Sequence, residues 1–289
     1  MNSILDMMLR RYNRPESADQ AKNIIKQCLQ EIVLSGLSRS DFFSKAAFYG
    51  GTSLRIFHGL DRFSEDLDFS IDPGKNGSFK ISEYKSYVDN EIESLGIPAE
   101  FLVEPDNGFV KRAYVKGNCR EVFSAFGLDS SFSRKVQGNA VISVKVEADT
   151  AEITDAAFET KFLTYPYPSS VRVFDKGSLF AGKISAVLCR HWRTRIKGRD
   201  LYDYVFYVSQ KYPLNMQHLR KRLEYAGALD SEADFSYKEL REMLTAKFSA
   251  IDYDSAKKDV LPFISDTRMT DLWSEEFFSL LTNDYFSNK

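Results

Sequence analysis

One stretch constrains the chain more than any other: Tyr49-Gly50-Gly51-Thr52-Ser53-Leu54-Arg55, followed by Arg62-Phe63-Ser64-Glu65-Asp66-Leu67-Asp68-Phe69-Ser70. Two adjacent glycines let the backbone approach a ligand with no Cβ in the way. Thr52 or Ser53 then stands where a helix begins, with Leu54, Ile56 and Phe57 as its apolar side. A helix start offers free N–H groups and a positive dipole end, which suits a phosphate. From Asp66 the period changes to two. Asp66, Asp68 and Ser70 fall on one face of a strand and Leu67, Phe69 and Ile71 on the other. Two carboxylates at that spacing can bind one hard cation, and magnesium takes one or two carboxylates together with phosphate oxygens. Separately, a DxD is more often a solvated strand face and a Gly-Gly a turn. In this order they follow the logic of metal-dependent nucleotidyl transfer.

A second strand carries the same alternation. In Val141–Asp149, Val144, Val146 and Ala148 point one way and Lys145, Glu147 and Asp149 the other. That polar face brings Glu147, or Asp149, beside the aspartate pair as a third carboxylate, with Lys145 neutralising part of the charge; a solvated face is the competing reading. Farther on, Lys183 and Arg190 are two helical turns apart and nearly aligned. Arg199-Asp200-Leu201-Tyr202-Asp203 opens another helix. Lys183 suits triphosphate oxygens and Arg190 a bidentate phosphate clamp. Asp200 can orient Lys183, bind nucleotide or take the proton of an attacking hydroxyl. It can equally be an N-cap paired with Arg199, and Lys183 a snorkelling surface lysine.

Gly50-Gly51-Thr52 with Arg62-x-Ser64-x-Asp66-Leu67-Asp68-Phe69 resembles the first motif of the AbiEii/AbiGii toxin family. These are nucleotidyltransferase-like toxins of type IV toxin–antitoxin and abortive-infection systems, within the DNA polymerase β-type superfamily. Lys145-x-Glu147 is similar to the second motif and Lys183 … Arg190 … Arg199-Asp200-Leu201-Tyr202-Asp203 to the third. The likeness runs from Phe48 to about residue 265. It implies Asp66, Asp68, Lys183 and Asp200 as catalytic residues. It implies Gly50, Gly51, Thr52, Ser53, Arg62, Ser64, Lys183 and Arg190 as nucleotide-binding, and Asp66, Asp68 and Glu147 as ligands of Mg²⁺ or Mn²⁺. Further implications are an NTP substrate, an RNA acceptor (the 3′ end of tRNA), an antitoxin partner and a role in antiviral defence. Transfer to a small molecule or protein, or a silent nucleotide- or antitoxin-binding protein, are the alternatives.

The fold expected is α/β (α+β): N-terminal helices plus a nucleotidyltransferase core with a short mixed sheet over 1–165, then a helical domain over 166–289, with the site in the cleft between them. Ser17-Ala18-Asp19-Gln20 reads as a capping box and Gly36 as a C-cap, with residues 1–16 loosely structured. Residues 82–95 read as a helix. Strands are expected near 99–103, 109–115 and 122–126, with Asn107-Gly108 as a hairpin turn. Residues 160–173 read as a connector. Net charge is −2, so any nucleic-acid contact is a local patch; the basic run Arg190–Arg199 with Trp192 is the candidate. Cys28, Cys119 and Cys189 form no disulfide framework and His58, His191 and His218 no zinc spacing. No run of apolar residues reaches membrane-spanning length and the first residues lack a signal-peptide pattern, so a cytoplasmic protein is expected.

Overall fold

The structure is a computed structural model that describes residues 3–75, 77, 79–105, 108–151, 153–190 and 196–287. The chain forms two compact units interleaved in sequence. The first comprises Met1–Ser53, Phe63–Glu152 and Glu159–Val173; the second, Leu54–Arg62, Ile153–Phe158 and Phe174–Lys289. A single cut near 165 therefore describes the chain less fully than its packing does.

The helices are α1 (Ser3–Leu9), α2 (Ala18–Ser38), α3 (Gly50–His58), α4 (Lys85–Ser94), α5 (Cys119–Ala125), α6 (Ser130–Arg134), α7 (Lys176–Cys189), α8 (Gly198–Ser209), α9 (Met216–Tyr225), α10 (Tyr237–Ser249), α11 (Tyr253–Val260) and α12 (Glu275–Phe286). The strands are β1 (Ala46–Tyr49), β2 (Asp66–Ile71), β3 (Ala99–Val103), β4 (Val110–Asn118), β5 (Val141–Asp149), β6 (Phe158–Leu163) and β7 (Ser169–Phe174). They make one mixed seven-stranded sheet in the order β3-β4-β5-β2-β1-β7-β6.

In the first unit β2 lies between β1, antiparallel, and β5, parallel. Every second residue of β2 and β5 is buried, as their alternation requires. α2 packs its apolar stripe, including Ile25, Leu29 and Val33, on this core. Ser17 caps α2 by accepting the N–H of Gln20. The Gln20 side chain bonds the N–H of Glu16 rather than that of Ser17, so the box is half formed.

Four readings are corrected. Gly36 is inside α2, because an added Cβ would stand 2.9 Å from the Tyr87 carbonyl oxygen and 3.0 Å from Val88 Cα on α4. It is a close-packing glycine, not a cap. Residues 3–9 form α1, which buries Leu5 and Met8. Residues 122–125 are helical and Phe126 is the C-cap of the same helix, not extended: Asn118 caps α5 by accepting two backbone N–H groups. The cap overrides the β propensity of Val122 and Phe123. Residues 160–173 hold most of strands β6 and β7, with the Tyr-Pro pairs between them. The Asn107-Gly108 turn falls partly outside the described residues.

The second unit is built on helices. Asp175 caps α7 by accepting the Ser178 N–H at 2.8 Å. Aromatic rings fill the core: Phe180 stacks on Tyr207 at 4.7 Å, and Tyr204 meets Phe248 at 5.2 Å. The buried Tyr204 hydroxyl shares a 2.8 Å hydrogen bond with Thr282. Among the described residues no helix is long and apolar enough to cross a membrane.

Candidate active site

Of the residues singled out in sequence, Gly50, Gly51, Thr52, Ser53, Ser64, Asp66, Asp68 and Glu147 lie in the first unit; Arg62, Lys183, Arg190 and Asp200 lie in the second.

In the first unit strand register builds the acidic face. Parallel pairing sets Asp66 beside Lys145 and Asp68 beside Glu147. Tyr49 lies beside Asp68 on β1, and Arg112 beside Glu147 on β4. Residues in register share a face, so Asp66, Asp68 and Glu147 project together. Glu147 is nevertheless committed: its Oε1 accepts from Arg112 Nε at 2.9 Å and its Oε2 lies 3.0 Å from Lys145 Nζ. Burial pushes this carboxyl upward, but the two cations outweigh it and hold Glu147 below the usual range. Lys145 Nζ also lies 3.6 Å from Asp66 Oδ2. Asp149 Oδ1 caps the strand end on the Ala151 N–H at 2.9 Å. Among the described residues no three Asp, Glu, His or Cys side chains cluster closely enough to hold a metal.

The start of α3 is set against this face. Gly50 has φ 82°, and a Cβ there would stand 2.6 Å from Asp68 Oδ2. Only glycine allows both the conformation and the approach. The Thr52 hydroxyl is buried and donates to the Asp66 carbonyl, tying the helix to the strand that bears the carboxylates. The Ser53 hydroxyl is buried with no partner among the described residues. Neither hydroxyl is presented for phosphate contact; the glycine backbone at the helix start remains as the donor surface. The Ser64 carbonyl accepts from Gln30 Nε2 at 2.9 Å, which fixes the turn before β2 to α2.

In the second unit Lys183 on α7 is not a surface lysine. Its Nζ lies 2.7 Å from Asp200 Oδ1 and 2.8 Å from Asp203 Oδ2. Arg62 is buried and grips both oxygens of Asp203 at 2.6 Å. Its guanidinium is thus spent on a carboxylate rather than facing a phosphate. Arg190 Nη1 bonds Asp200 Oδ2. Burial pushes Asp200 and Asp203 up, but Lys183 with Arg190, and Arg62 with Lys183, hold both below the usual carboxylate range. A general base working near neutral pH needs the opposite shift. The geometry therefore favours the orienting role for Asp200 over the proton-accepting one. Lys197, not Asp200, precedes α8 as its cap residue, and the Arg199 guanidinium lies 4.1 Å from the Phe263 ring centroid. Asp203 is the member that received no role from sequence. Its signal was its spacing: it sits three residues after Asp200, on the same helical face. His191 to Arg195, the middle of the basic run expected to meet RNA, lie outside the described residues.

The model of the family described as "Nucleotidyl transferase AbiEii toxin, Type IV TA system" matches residues 32–283. The chain belongs to this family. Comparison with curated proteins gives no match. Among solved structures, MenT4, a nucleotidyltransferase toxin from Mycobacterium tuberculosis H37Rv, is similar at TM-score 0.57 and 16% identity, over 100% of this chain and 90% of that one. JHP933 from Helicobacter pylori is similar at TM-score 0.51 and 18% identity, over 92% of each chain. A putative nucleotidyltransferase from H. pylori aligns at TM-score 0.50 and 19% identity, over 90% of each. At such identities these structures speak to the fold, which is the mixed α/β nucleotidyltransferase architecture. Family membership makes the chain a nucleotidyltransferase toxin, with an NTP substrate and an antitoxin partner.

Nucleotidyltransferases generally use divalent metals, and the donor set fits one here. Asp66 and Asp68 supply the two oxygen-bearing side chains that magnesium takes alongside phosphate and water, and Gly50 keeps Cβ bulk away from Asp68 Oδ2. Glu147 shares that face, with Arg112 on one of its oxygens and Lys145 on the other.

Proposed function

We propose that this AbiEii-family protein moves a nucleotide from an NTP to the 3′ end of an RNA, with tRNA as acceptor and Mg²⁺ or Mn²⁺ as cofactor. In this reading it acts in the cytoplasm, as the arresting half of an abortive-infection pair. One observation carries it: a glycine-initiated helix held against the second carboxylate of a DxD strand, with Gly50 Cα beside Asp68 Oδ2. The acceptor hydroxyl oxygen attacks the α-phosphorus and gives its proton to solvent, the bond to the β-phosphate bridging oxygen breaks, and pyrophosphate leaves with that electron pair. A bound ion would withdraw charge from the phosphates and be held by Asp66 and Asp68. The N–H groups opening α3 receive phosphate oxygens. In the second unit Lys183 and Arg190 are the cations suited to phosphate oxygens. Among the described residues, Asp200 and Asp203 face three cations, Arg62, Lys183 and Arg190. Asp203 and Arg62 position Lys183, and Asp200 orients both Lys183 and Arg190. Glu147 fixes Lys145 beside Asp66 in place of acting as a ligand.

Incubation with each labelled NTP, Mg²⁺ and total RNA tests the proposal. Label should enter tRNA at its 3′ end, and EDTA or Asp68→Asn should abolish transfer. Label found by mass analysis on protein or a small molecule would replace the acceptor. No incorporation from any NTP would sink the proposal.

A further inference from the structure

Strand β6 ends the sheet beyond β7. An edge strand presents a row of N–H and C=O groups to any chain that comes beside it, so folds usually blunt their edges. The opposite edge, β3, is blunted. On α4, Asp89 accepts the Phe101 N–H at 2.8 Å and Lys85 donates to the Phe101 carbonyl at 2.6 Å. Among the described residues, no side-chain or loop hydrogen bond reaches the backbone of Thr160, Lys161, Phe162 or Leu163 in this way. One face of β6 is apolar where a solvated face is normally polar: Phe162 is 77% exposed and Phe158 41%, with exposed Thr160 between them. The other face carries Glu159 and Lys161, whose Oε2 and Nζ lie 3.1 Å apart and whose side chains are 34% and 29% exposed. A lysine on an edge strand discourages pairing, but here a glutamate two residues away neutralises it. Outward from Thr160, Phe158-Glu159-Thr160-Lys161-Phe162 is the same in apolar character in both directions and opposite in charge.

We infer that β6 pairs antiparallel with β6 of a second copy of this chain, about a twofold axis through Thr160. In that register Glu159 meets the partner's Lys161, and Lys161 the partner's Glu159. Phe158 meets the partner's Phe162 on the other face, again twice, and Thr160 meets its own equivalent. Parallel pairing in register would set glutamate against glutamate and lysine against lysine, and like charges directly opposed are destabilising. The pattern therefore selects the antiparallel arrangement, in which one patch is complementary to itself, as a twofold dimer requires. A foreign strand would have to reproduce this pattern; a second copy carries it already. The inference goes beyond the proposed function and holds whether or not a nucleotide is transferred.

Sedimentation equilibrium of the full-length protein over a wide range of concentration should show a monomer–dimer equilibrium. Glu159→Lys and Lys161→Glu should each weaken the dimer about tenfold or more, because the axis makes every substitution count twice. The double variant, Glu159→Lys with Lys161→Glu, keeps the complementarity with its sign reversed and should restore the dimer. An equimolar mixture of the two single variants should pair at concentrations where each alone is monomeric, since one then carries only lysine and the other only glutamate at these positions. Thr160→Cys should cross-link to itself on mild oxidation above the background of the unaltered chain, because opposed residues of an antiparallel pair have Cα atoms about 4.5–5.5 Å apart. Phe162→Cys, displaced along the strand from its own equivalent, should not. Restored pairing in the double variant and in the mixture separates a lost contact from a lost fold. A monomer at every concentration, or a dimer indifferent to the charge reversals, overturns the inference. Cross-linking through Phe162→Cys in place of Thr160→Cys overturns it equally, because the register would then be another one.

Discussion

Asp203 is the residue on which most local order depends. It carries its charge in a fully buried place and receives both Arg62 and Lys183. Removing its charge takes from the buried Arg62 the carboxylate it grips and leaves Lys183 to Asp200, and breaking such a buried pair typically costs about 3–5 kcal/mol. Asp203→Asn is therefore expected to lower stability by about that much in urea titrations, far more than the roughly 0–1 kcal/mol of a surface pair. If Asp203 also positions Lys183, Asp203→Asn assayed at a temperature where it remains folded should lose kcat more than it gains KM. An unchanged kcat in the folded variant would reduce Asp203 to scaffolding.

At the scale of elements, one contact sets how two helices close on each other. Gly198 opens α8 where α11 passes, and an added Cβ would lie 1.8 Å from the Ala256 carbonyl oxygen. Backbone cannot yield as a side-chain tip can, so Gly198→Ala should force the helices apart. A loss of about 3 kcal/mol or more is expected, at the top of the usual range for overpacking, read as a drop in the urea midpoint. His218 sits on α9 with Nδ1 2.8 Å from the Thr154 carbonyl and Nε2 unpartnered among the described residues. Burial holds its pKa at about 4, below the usual 6.5. The unfolded chain therefore binds the proton first. The stabilisation is complete above pH 6.5 and disappears as pH falls toward 4, on the order of 3 kcal/mol in all. His218→Gln should flatten that part of the stability profile; an unaltered slope between pH 6.5 and 4 would assign the acid sensitivity to other groups.

For the whole molecule, what sequence revealed followed the range of the interactions. Alternation in β2 and β5 and the cap at Ser17 were legible because residues within a few positions decide them. The face shared by Asp66, Asp68 and Glu147 was legible too, as a consequence of period two. The partners of Glu147 were only half visible: Lys145 is two residues away, but Arg112 comes from another strand. The burial of Arg62 was not visible, since its partner lies 141 residues on. Nor was Gly36, whose reason is the backbone of α4. This division leads to a prediction about the intact protein with ligand. Anything that binds the folded chain alone raises its stability by RT ln(1 + [L]/Kd), about 2.7 kcal/mol at a hundredfold excess over Kd. A non-hydrolysable NTP with Mg²⁺ should therefore raise the thermal midpoint, with Mg²⁺ adding to the effect of the nucleotide. Asp66→Asn with Asp68→Asn should erase the Mg²⁺ increment and leave the part due to nucleotide alone. Glu147→Gln should keep the increment, because Glu147 is bound by Arg112 and Lys145 rather than serving the ion. Loss of the Mg²⁺ increment in folded Glu147→Gln would return that residue to the ligand set.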